Sequence, residues 1–149
     1  CYMKKKVLFV TLLFVTLVFL FKIFFIKNPN DNTMKKFDLI KKEITKQGYH
    51  NRWIMISGHR DEWYNDILKN SAKKSYHIKS MAFDIYVFDI DGDWDFDSND
   101  IFILESITNK IELSNPNLVG GFGTYTTKDF LSKHMVHIDT RGYKVRYNK

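Results

Sequence analysis

The sequence predicts an α+β domain, with a small, mostly antiparallel sheet and flanking helices, preceded by one transmembrane helix. Two segments carry apolar residues at helical spacing, and four or five short runs are rich in β-branched and aromatic residues. Short connections between the runs favour antiparallel pairing. An apolar stretch at the start of the chain stands apart from this pattern. We therefore expect a membrane segment within residues 1–27, a linker at 28–33 and one domain at 34–149.

The apolar stretch covers residues 7–26 and is interrupted only by two threonines and Lys22. Twenty helical residues span about 30 Å, the thickness of a bilayer's hydrocarbon core. Lys4, Lys5 and Lys6 precede the stretch, so the domain that follows is expected to cross the membrane. A cleavable signal peptide is the alternative, but the stretch does not end in the small residues of a cleavage site. We expect an uncleaved anchor.

The net charge argues against a nucleic-acid-binding domain. The formal charge of the chain is +6, but residues 1–27 contain five lysines and no acidic residue, which leaves +1 for the rest. A nucleic-acid-binding domain would show a concentrated basic face. The only cysteine is Cys1, so the predicted domain contains no disulfide and must be stabilised by its core and by any metal that it binds.

The predicted helices are defined by apolar spacing and by their ends. The first contains Phe37, Ile40 and Ile44, is capped by Asn32 or Thr33, and ends at Gly48. Its other face is expected to be solvated and carries five lysines: Lys35, Lys36, Lys41, Lys42 and Lys46. A short second helix is expected at residues 61–69. A third helix is capped by Asn99 or Asp100 and carries apolar residues at helical spacing: Ile101, Leu104 and Ile107.

The predicted strands are short. Residues 82–88 give the strongest strand pattern, and residues 52–56 form a buried strand that leads into a polar turn. Residues 118–125 contain three glycines, which allow the close approach of other groups to the backbone. Residues 135–139 and 143–147 are expected to form a hairpin through Arg141 and Gly142.

Three residues form a candidate zinc site. His77 lies seven residues before Asp84, which opens the predicted strand at 82–88, and His137 lies on the strand at 135–139. A catalytic zinc ion takes three ligands from His and carboxylate side chains and keeps one position for water. The pKa of a zinc-bound water falls from 15.7 to about 7. The set therefore suits a hydrolase, provided that the segment before residue 82 folds back onto strand 135–139.

The sequence around these residues resembles a family of zinc peptidases. Residues 75–84 (SYHIKSMAFD) resemble the S-x-H-x-x-G-x-A-x-D motif of the D-alanyl-D-alanine carboxypeptidases and endopeptidases, which include the VanX-type and LAS enzymes. Residues 56–60 (ISGHR), with Tyr64 and Asn65, resemble the S-G-Y-R-S and Y-N of the same group. Residues 120–125 (GGFGTY) and 135–140 (MVHIDT) resemble segments of its YcbK-like murein endopeptidases. The resemblance covers about residues 34–147, and it implies the LAS/hedgehog-like fold.

The resemblance implies a role for each site residue. It makes His77, Asp84 and His137 the zinc ligands, and it makes Arg60 the cation that steadies the substrate carbonyl or its oxyanion. The general base is left open between His134 and Asp139. His134 has a suitable ordinary pKa, but on a strand it would face away from His137. Asp139 shares the face of His137 and would act as the base or orient an imidazole.

Two residues depart from the motifs. Ser80 replaces the glycine of the first motif, and His59 replaces the tyrosine of the second. If that glycine requires positive φ, a serine there costs energy or changes the loop. Neither change removes a predicted ligand, so we still expect activity.

The function implied is that of a membrane-anchored zinc peptidase outside the bacterial cytoplasmic membrane. Its expected substrates are the stem peptides or cross-links of peptidoglycan, cleaved as by a D,D-carboxypeptidase or a murein endopeptidase. The alternative is a binding module that holds zinc or a cell-wall peptide without cleaving it. The hedgehog signalling domain resembles the same fold and is not chiefly known as a peptidase.

An acidic loop at residues 89–100 is a second candidate cation site. Its aspartates fall on positions 1, 3, 5, 7 and 12 of a calcium-loop template, namely Asp89, Asp91, Asp93, Asp95 and Asp100. Trp94 stands where the EF-hand has glycine, and position 12 is Asp instead of Glu. The alternative is an exposed acidic turn between a strand and a helix.

Overall fold

A computed structural model describes residues 27–68, 72–125 and 133–148 of the chain. These residues form three α-helices, one short 3-10 helix and a five-stranded sheet, which confirms the predicted α+β class. The predicted transmembrane helix lies outside them. Among the helices of the described ranges, none has the length and apolar character needed to span a bilayer.

The sheet has the strand order β1-β2-β4-β3-β5. Its strands are β1 (Trp53–Ser57), β2 (Ala82–Val87), β3 (Gly121–Thr124), β4 (Met135–Asp139) and β5 (Val145–Asn148). All neighbouring pairs are antiparallel except β3 and β5, which are parallel. Strands β2 and β4 have neighbours on both sides and are almost entirely buried, as expected for strands inside a sheet.

The helices begin at side-chain caps. Helix α1 (Asp31–Lys46) begins after Asn30, whose side chain accepts a hydrogen bond from the Thr33 N–H at 3.0 Å, and Gly48 follows its end with φ +83°. Helix α2 is Glu62–Ile67, and helix α3 is Ser98–Ser114. The cap of α3 is Asp97, not the predicted Asn99 or Asp100. Asp100 instead accepts from the Asp97 N–H and completes a capping box.

The core lies between the helices and one face of the sheet. Ile40 and Ile44 of α1 are fully buried against it, as the helical spacing predicts, and Leu104 of α3 joins them. On the central strands the core residues alternate with polar ones: Phe83 and Ile85 of β2, and Val136 and Ile138 of β4, belong to the core. Because side chains alternate between faces, Asp84, His137 and Asp139 all point to the opposite face.

The predicted hairpin of residues 135–139 and 143–147 is wrong. Strand β4 is paired with β2 on one side and β3 on the other, so β5 cannot join it. The chain passes the end of β3 instead, where Gly142 has φ +92° and its N–H donates to the Val119 carbonyl. Strand β5 then pairs with the free edge of β3 in a parallel orientation.

The predicted solvated face of the first helix is wrong at Lys36. This side chain is fully buried, and its Nζ donates to Glu112 Oε1 at 2.6 Å and to the Asp139 carbonyl at 2.8 Å. Arg146 binds the other oxygen of Glu112 at 2.7 Å. Burial lowers the pKa of Lys36, although the hydrogen bond to Glu112 opposes this. The lysine therefore ties α1 and α3 to the strand that carries His137.

The predicted linker at residues 28–33 is largely part of the domain. Asn30 caps α1, and Thr33 lies in its first turn and is fully buried. Lys27 already forms a bridge with His59, which follows β1. Within the described residues, contacts with the domain therefore begin at residue 27.

Candidate metal centre

Strand pairing brings two of the predicted ligands together. In the antiparallel pair β2–β4, Asp84 lies directly opposite His137. Side chains in such pairs share a face, with Cβ atoms about 5 Å apart. His77 reaches the same place from the segment before β2, as the sequence predicts. The segment is fixed to the turn after β1, because the Arg60 N–H donates to the His77 carbonyl at 3.1 Å.

The three ligand atoms form a compact triangle. Asp84 Oδ1 lies 3.1 Å from His77 Nε2 and 2.9 Å from His137 Nδ1, and the two nitrogens are 3.2 Å apart. Tetrahedral zinc with bonds of about 2.0 Å places its ligands about 3.3 Å from one another. All three residues are buried. The group therefore has the size and donor set of a three-ligand cation site.

The outward nitrogens of the two imidazoles are held by acceptors. His77 Nδ1 lies 2.7 Å from the Gly58 carbonyl oxygen. Because a carbonyl oxygen only accepts hydrogen bonds, Nδ1 carries the proton and donates it. His137 Nε2 lies 3.0 Å from Asp139 Oδ2. In the neutral imidazoles the inward nitrogens then carry lone pairs that face each other and a carboxylate oxygen. Three converging acceptors are unfavourable unless a cation lies between them, which is the arrangement of a metal site.

Electrostatics keeps the carboxylates of the site ionised. Burial alone would raise the pKa of Asp84, but its interactions with the His137 and His77 side chains lower it far below its usual range. The pKa of Asp139 is lowered in the same way, against burial, by His137 and Arg141. Both groups are therefore anions at neutral pH and can compensate the charge of a bound cation.

Asp139 has the geometry of an orienting residue. It is fully buried, and in addition to His137 it accepts hydrogen bonds from the Gly121 N–H at 2.7 Å and from the Arg141 guanidinium. Gly120 and Gly121 allow this packing, since a Cβ on either would lie within 2.8 Å of an Asp139 atom. Both carboxylate oxygens are engaged, Oδ2 with His137 and Oδ1 with the Gly121 N–H. Of the two predicted roles of Asp139, the contacts favour orientation of the imidazole.

His134, the other predicted base, is not brought to the site. Its ring packs near Tyr86, at 5.9 Å between centroids, and near Phe96 at 6.4 Å. Phe96 belongs to the acidic loop at the opposite end of the sheet. His134 directly precedes β4, and its ring lies toward Tyr86 and Phe96 instead of toward His137. The geometry therefore does not support His134 as the base.

Arg60 lies at the site, as predicted. Its Nη2 contacts Asp84 Oδ2, and its Nε donates to Ser57 Oγ at 2.8 Å. Asp84 thus directs one oxygen at the metal position and the other at the guanidinium. The side chain is 15% exposed, so the fixed positive charge borders both the ligand group and the solvent.

The two residues that differ from the motifs that the sequence resembles contact each other. Ser80 has φ +58°, the left-handed region that glycine would occupy without strain. Its Oγ lies 2.8 Å from His59 Nδ1. The serine that replaces the motif's glycine is therefore hydrogen-bonded to the histidine that replaces the motif's tyrosine.

Sequence reasoning missed two tyrosines beside the ligands. The Tyr147 ring lies 6.2 Å from the His137 ring and lies over Gly123, where a Cβ would come within 2.3 Å of it. Burial, with a further contribution from Asp139, raises the pKa of Tyr147 to about 12. Burial and the charge of Asp84 raise the pKa of Tyr125 as well. Both phenols stay protonated and are hydrogen-bond donors. The glycines of β3 were the sequence feature that could have indicated them, since glycine leaves room for a ring to pack against the strand.

The acidic loop brings together three of its five predicted aspartates. Carboxylate oxygens of Asp89, Asp91 and Asp93 lie within 4.8 Å of one another. Asp100 instead accepts hydrogen bonds from the Ile90 and Asp97 N–H groups, which is a capping role. Trp94, at the position of the EF-hand glycine, has φ +71°. Asp89 also forms an ion pair with Arg52, so part of its charge is already compensated.

Comparisons of the chain with protein families, with curated proteins and with solved structures gave no match.

Proposed function

We propose that the protein is a zinc peptidase that hydrolyses amide bonds in the stem peptides or cross-links of peptidoglycan. The observation that carries the proposal is the convergence of His77 Nε2, Asp84 Oδ1 and His137 Nδ1 within 3.2 Å of one another. The spacing of these residues in the sequence resembles that of the D-alanyl-D-alanine peptidases. Zinc held there would polarise water and a substrate carbonyl.

The protein's own residues would orient and stabilise the reacting groups. Arg60 borders the ligand group and would compensate negative charge on the carbonyl oxygen as the amide is attacked. Tyr147 is a protonated donor beside His137 and would bind a substrate oxygen. Asp139 would hold His137 in the tautomer that leaves Nδ1 unprotonated.

A second function is favoured by one specific observation. Of the two predicted bases, His134 lies away from the ligands, and Asp139 has both oxygens engaged. Among the described residues, neither of these two predicted bases is placed to take a proton at the metal position, which favours a module that binds zinc or a cell-wall peptide without cleaving it. Tight zinc binding together with no cleavage of any muropeptide would favour this second function.

The test is zinc content and muropeptide cleavage in matched histidine variants. We expect His77→Ala to lose bound zinc and cleavage, because it removes one of three ligands. His50→Ala is the control, since His50 is exposed and lies outside the ligand group. Zinc would be measured by mass spectrometry of the metal and cleavage by mass spectrometry of the products. Cleavage by His77→Ala at the wild-type rate would refute the proposal.

The membrane anchor is part of the proposal. The apolar stretch at residues 7–26 would hold the domain on the extracytoplasmic side of a bacterial cytoplasmic membrane, where peptidoglycan is found.

Calcium at the acidic loop stays a separate prediction. The carboxylates of Asp89, Asp91 and Asp93 would supply oxygen ligands. If calcium binds the folded chain, millimolar Ca²⁺ raises the melting temperature, and Asp91→Asn reduces the rise. No shift of the melting temperature at millimolar Ca²⁺ would remove the prediction.

A further inference from the structure

The first described residue is packed directly against the turn that holds the metal ligands. The His59 N–H donates to the Lys27 carbonyl at 2.8 Å, and Lys27 Nζ forms an ion pair with Asp61 at 2.6 Å. Gly58 leaves room for this contact, because a Cβ there would lie 2.3 Å from the Lys27 carbonyl oxygen. Lys27 directly follows the apolar stretch at residues 7–26. In the sequence, therefore, no residue stands between the end of that stretch and Lys27.

The same turn holds His77. The Gly58 carbonyl that lies beside Lys27 also lies 2.7 Å from His77 Nδ1. The Lys27 carbonyl is therefore linked to the inward nitrogen of His77 through the His59 N–H, the Gly58 carbonyl and the His77 ring. The length of this path is on the order of 10 Å from ordinary bond lengths. A membrane anchor that ends at residue 26 would keep the metal site close to the bilayer surface.

The helix next to Lys27 exposes two large apolar side chains. Trp63 is 59% exposed and Ile67 is 67% exposed, and they lie four residues apart on the same side of α2. Asn65, half a turn away from both, is buried, so the apolar pair faces away from the domain. Trp is a residue that favours the membrane–water interface.

We propose that this end of the domain lies against the membrane, with Trp63 and Ile67 in the lipid headgroup region. The metal site is thereby restricted to substrates near the bilayer. The occupant is lipid because the apolar stretch ends at residue 26, and Lys27, which follows it, forms an ion pair with Asp61, the residue that precedes α2. Glu62 and Asp66 lie on the same helix, so attraction to anionic lipid is not the source of the contact.

The substrate class follows from the short tether and rests on the proposed peptidase function. An extended linker adds about 3.5 Å of reach per residue, and in the sequence no polar linker stands between the apolar stretch and Lys27. A peptide carried on a membrane lipid would reach the site, whereas a peptide in wall material far from the bilayer would not. We therefore assign the stem peptide of a lipid-linked precursor as the substrate in place of mature cross-linked wall.

The opposite end of the domain offers a matched control. Trp94 is 84% exposed and lies in the acidic loop, which follows the far end of β2. Strand β2 begins at the metal site and its six residues span about 20 Å. The chain has three tryptophans, and the third, Trp53, is buried in the core. Trp94→Phe and Trp63→Phe therefore each leave one exposed tryptophan, at opposite ends.

The membrane contact is tested with the full chain in phosphatidylcholine vesicles that contain acyl-brominated lipid as a quencher. In the Trp94→Phe protein, where Trp63 reports, we expect a loss of emission and a blue shift relative to unbrominated vesicles. In the Trp63→Phe protein, where Trp94 reports, we expect neither. Equal quenching of the two proteins would overturn the proposal, as would a purified chain whose mass lacks residues 1–26.

The substrate restriction is tested with one stem pentapeptide held in three ways: free, acylated directly to a membrane lipid, and joined to that lipid through about 20 prolines, which hold it about 60 Å away. We expect faster cleavage of the directly held peptide than of the spaced one, and loss of the difference when 20 Gly/Ser residues are inserted before Lys27. Equal rates in the native chain would overturn the restriction. Failure to cleave even the free peptide would overturn the proposed function, while the tryptophan result would still decide the membrane contact.

Discussion

Replacement of Asp139 by asparagine tests whether this residue sets the protonation of His137. The carboxylate can only accept hydrogen bonds, so its contact with His137 at 3.0 Å requires a proton on Nε2. An asparagine of the same size can turn its NH₂ group toward the imidazole. The Nε2 proton then moves to Nδ1, which is the nitrogen that faces His77 and Asp84. We expect metal affinity to fall, although all three ligands remain.

The magnitude follows from the role of such partners. Loss of the carboxylate behind a metal-binding histidine costs about 10- to 100-fold in affinity, or about 1.4 to 2.7 kcal/mol. The Arg141 guanidinium also loses its charged partner. Its side chain is only 12% exposed, so the folded chain should be destabilised as well. The two effects are separable, because affinity is measured on the folded protein.

The assay is equilibrium competition for zinc between the protein and a chromophoric chelator, with circular dichroism to confirm folding at the assay temperature. Asp91→Asn is the control, since it removes a carboxylate at the far end of the sheet. We expect the control to keep wild-type affinity. A folded Asp139→Asn protein with the wild-type dissociation constant would refute the assigned tautomer and the orienting role.

Two further predictions concern stability. Ser80 has φ +58°, so Ser80→Gly should be about 1 kcal/mol more stable than Ser80→Ala, because both lose the contact with His59 and only alanine keeps the strain. Equal midpoints in urea unfolding would contradict the strain. Lys36→Met leaves Glu112 buried, with Arg146 still bound to it, and should cost about 3 kcal/mol. The exposed Lys35→Met should change stability by less than about 0.5 kcal/mol, and an equally small loss for Lys36→Met would show that the buried pair is not stabilising.

The elements with a strong local signal were predictable from the sequence. Apolar spacing located α1 and α3, and a run of aromatic and β-branched residues located β2. The group that could hold a metal ion was also predictable, because Asp84 and His137 lie on segments with a clear strand pattern. The side of the sheet on which Asp84 lies followed from the alternation of side chains along a strand, since residues 83 and 85 are apolar and residue 84 is not.

The partners of these elements were not predictable from local patterns. Short connections suggested a hairpin between β4 and β5, but pairing depends on which strand edges are already occupied, and β3 occupies the edge of β4. The burial of Lys36 could not be inferred from its neighbours, because its partner Glu112 lies 76 residues away. The distance of His134 from the site depends on where the chain enters β4, a boundary that sequence patterns locate poorly.

Ser80 and His59, which differ from the peptidase motifs that the sequence resembles, are better understood as one change than as two. A left-handed serine costs about 1 to 2 kcal/mol relative to glycine, and a hydrogen bond returns about 1 kcal/mol of it. His59 supplies that bond to Ser80 at 2.8 Å, and its own backbone is held by Lys27. The turn after β1 and the segment before β2 are thus joined by two hydrogen bonds, this one and the one between His77 and the Gly58 carbonyl. The position of His77 is therefore set by the turn after β1 as much as by its own segment, and a substitution in one is expected to require a matching one in the other.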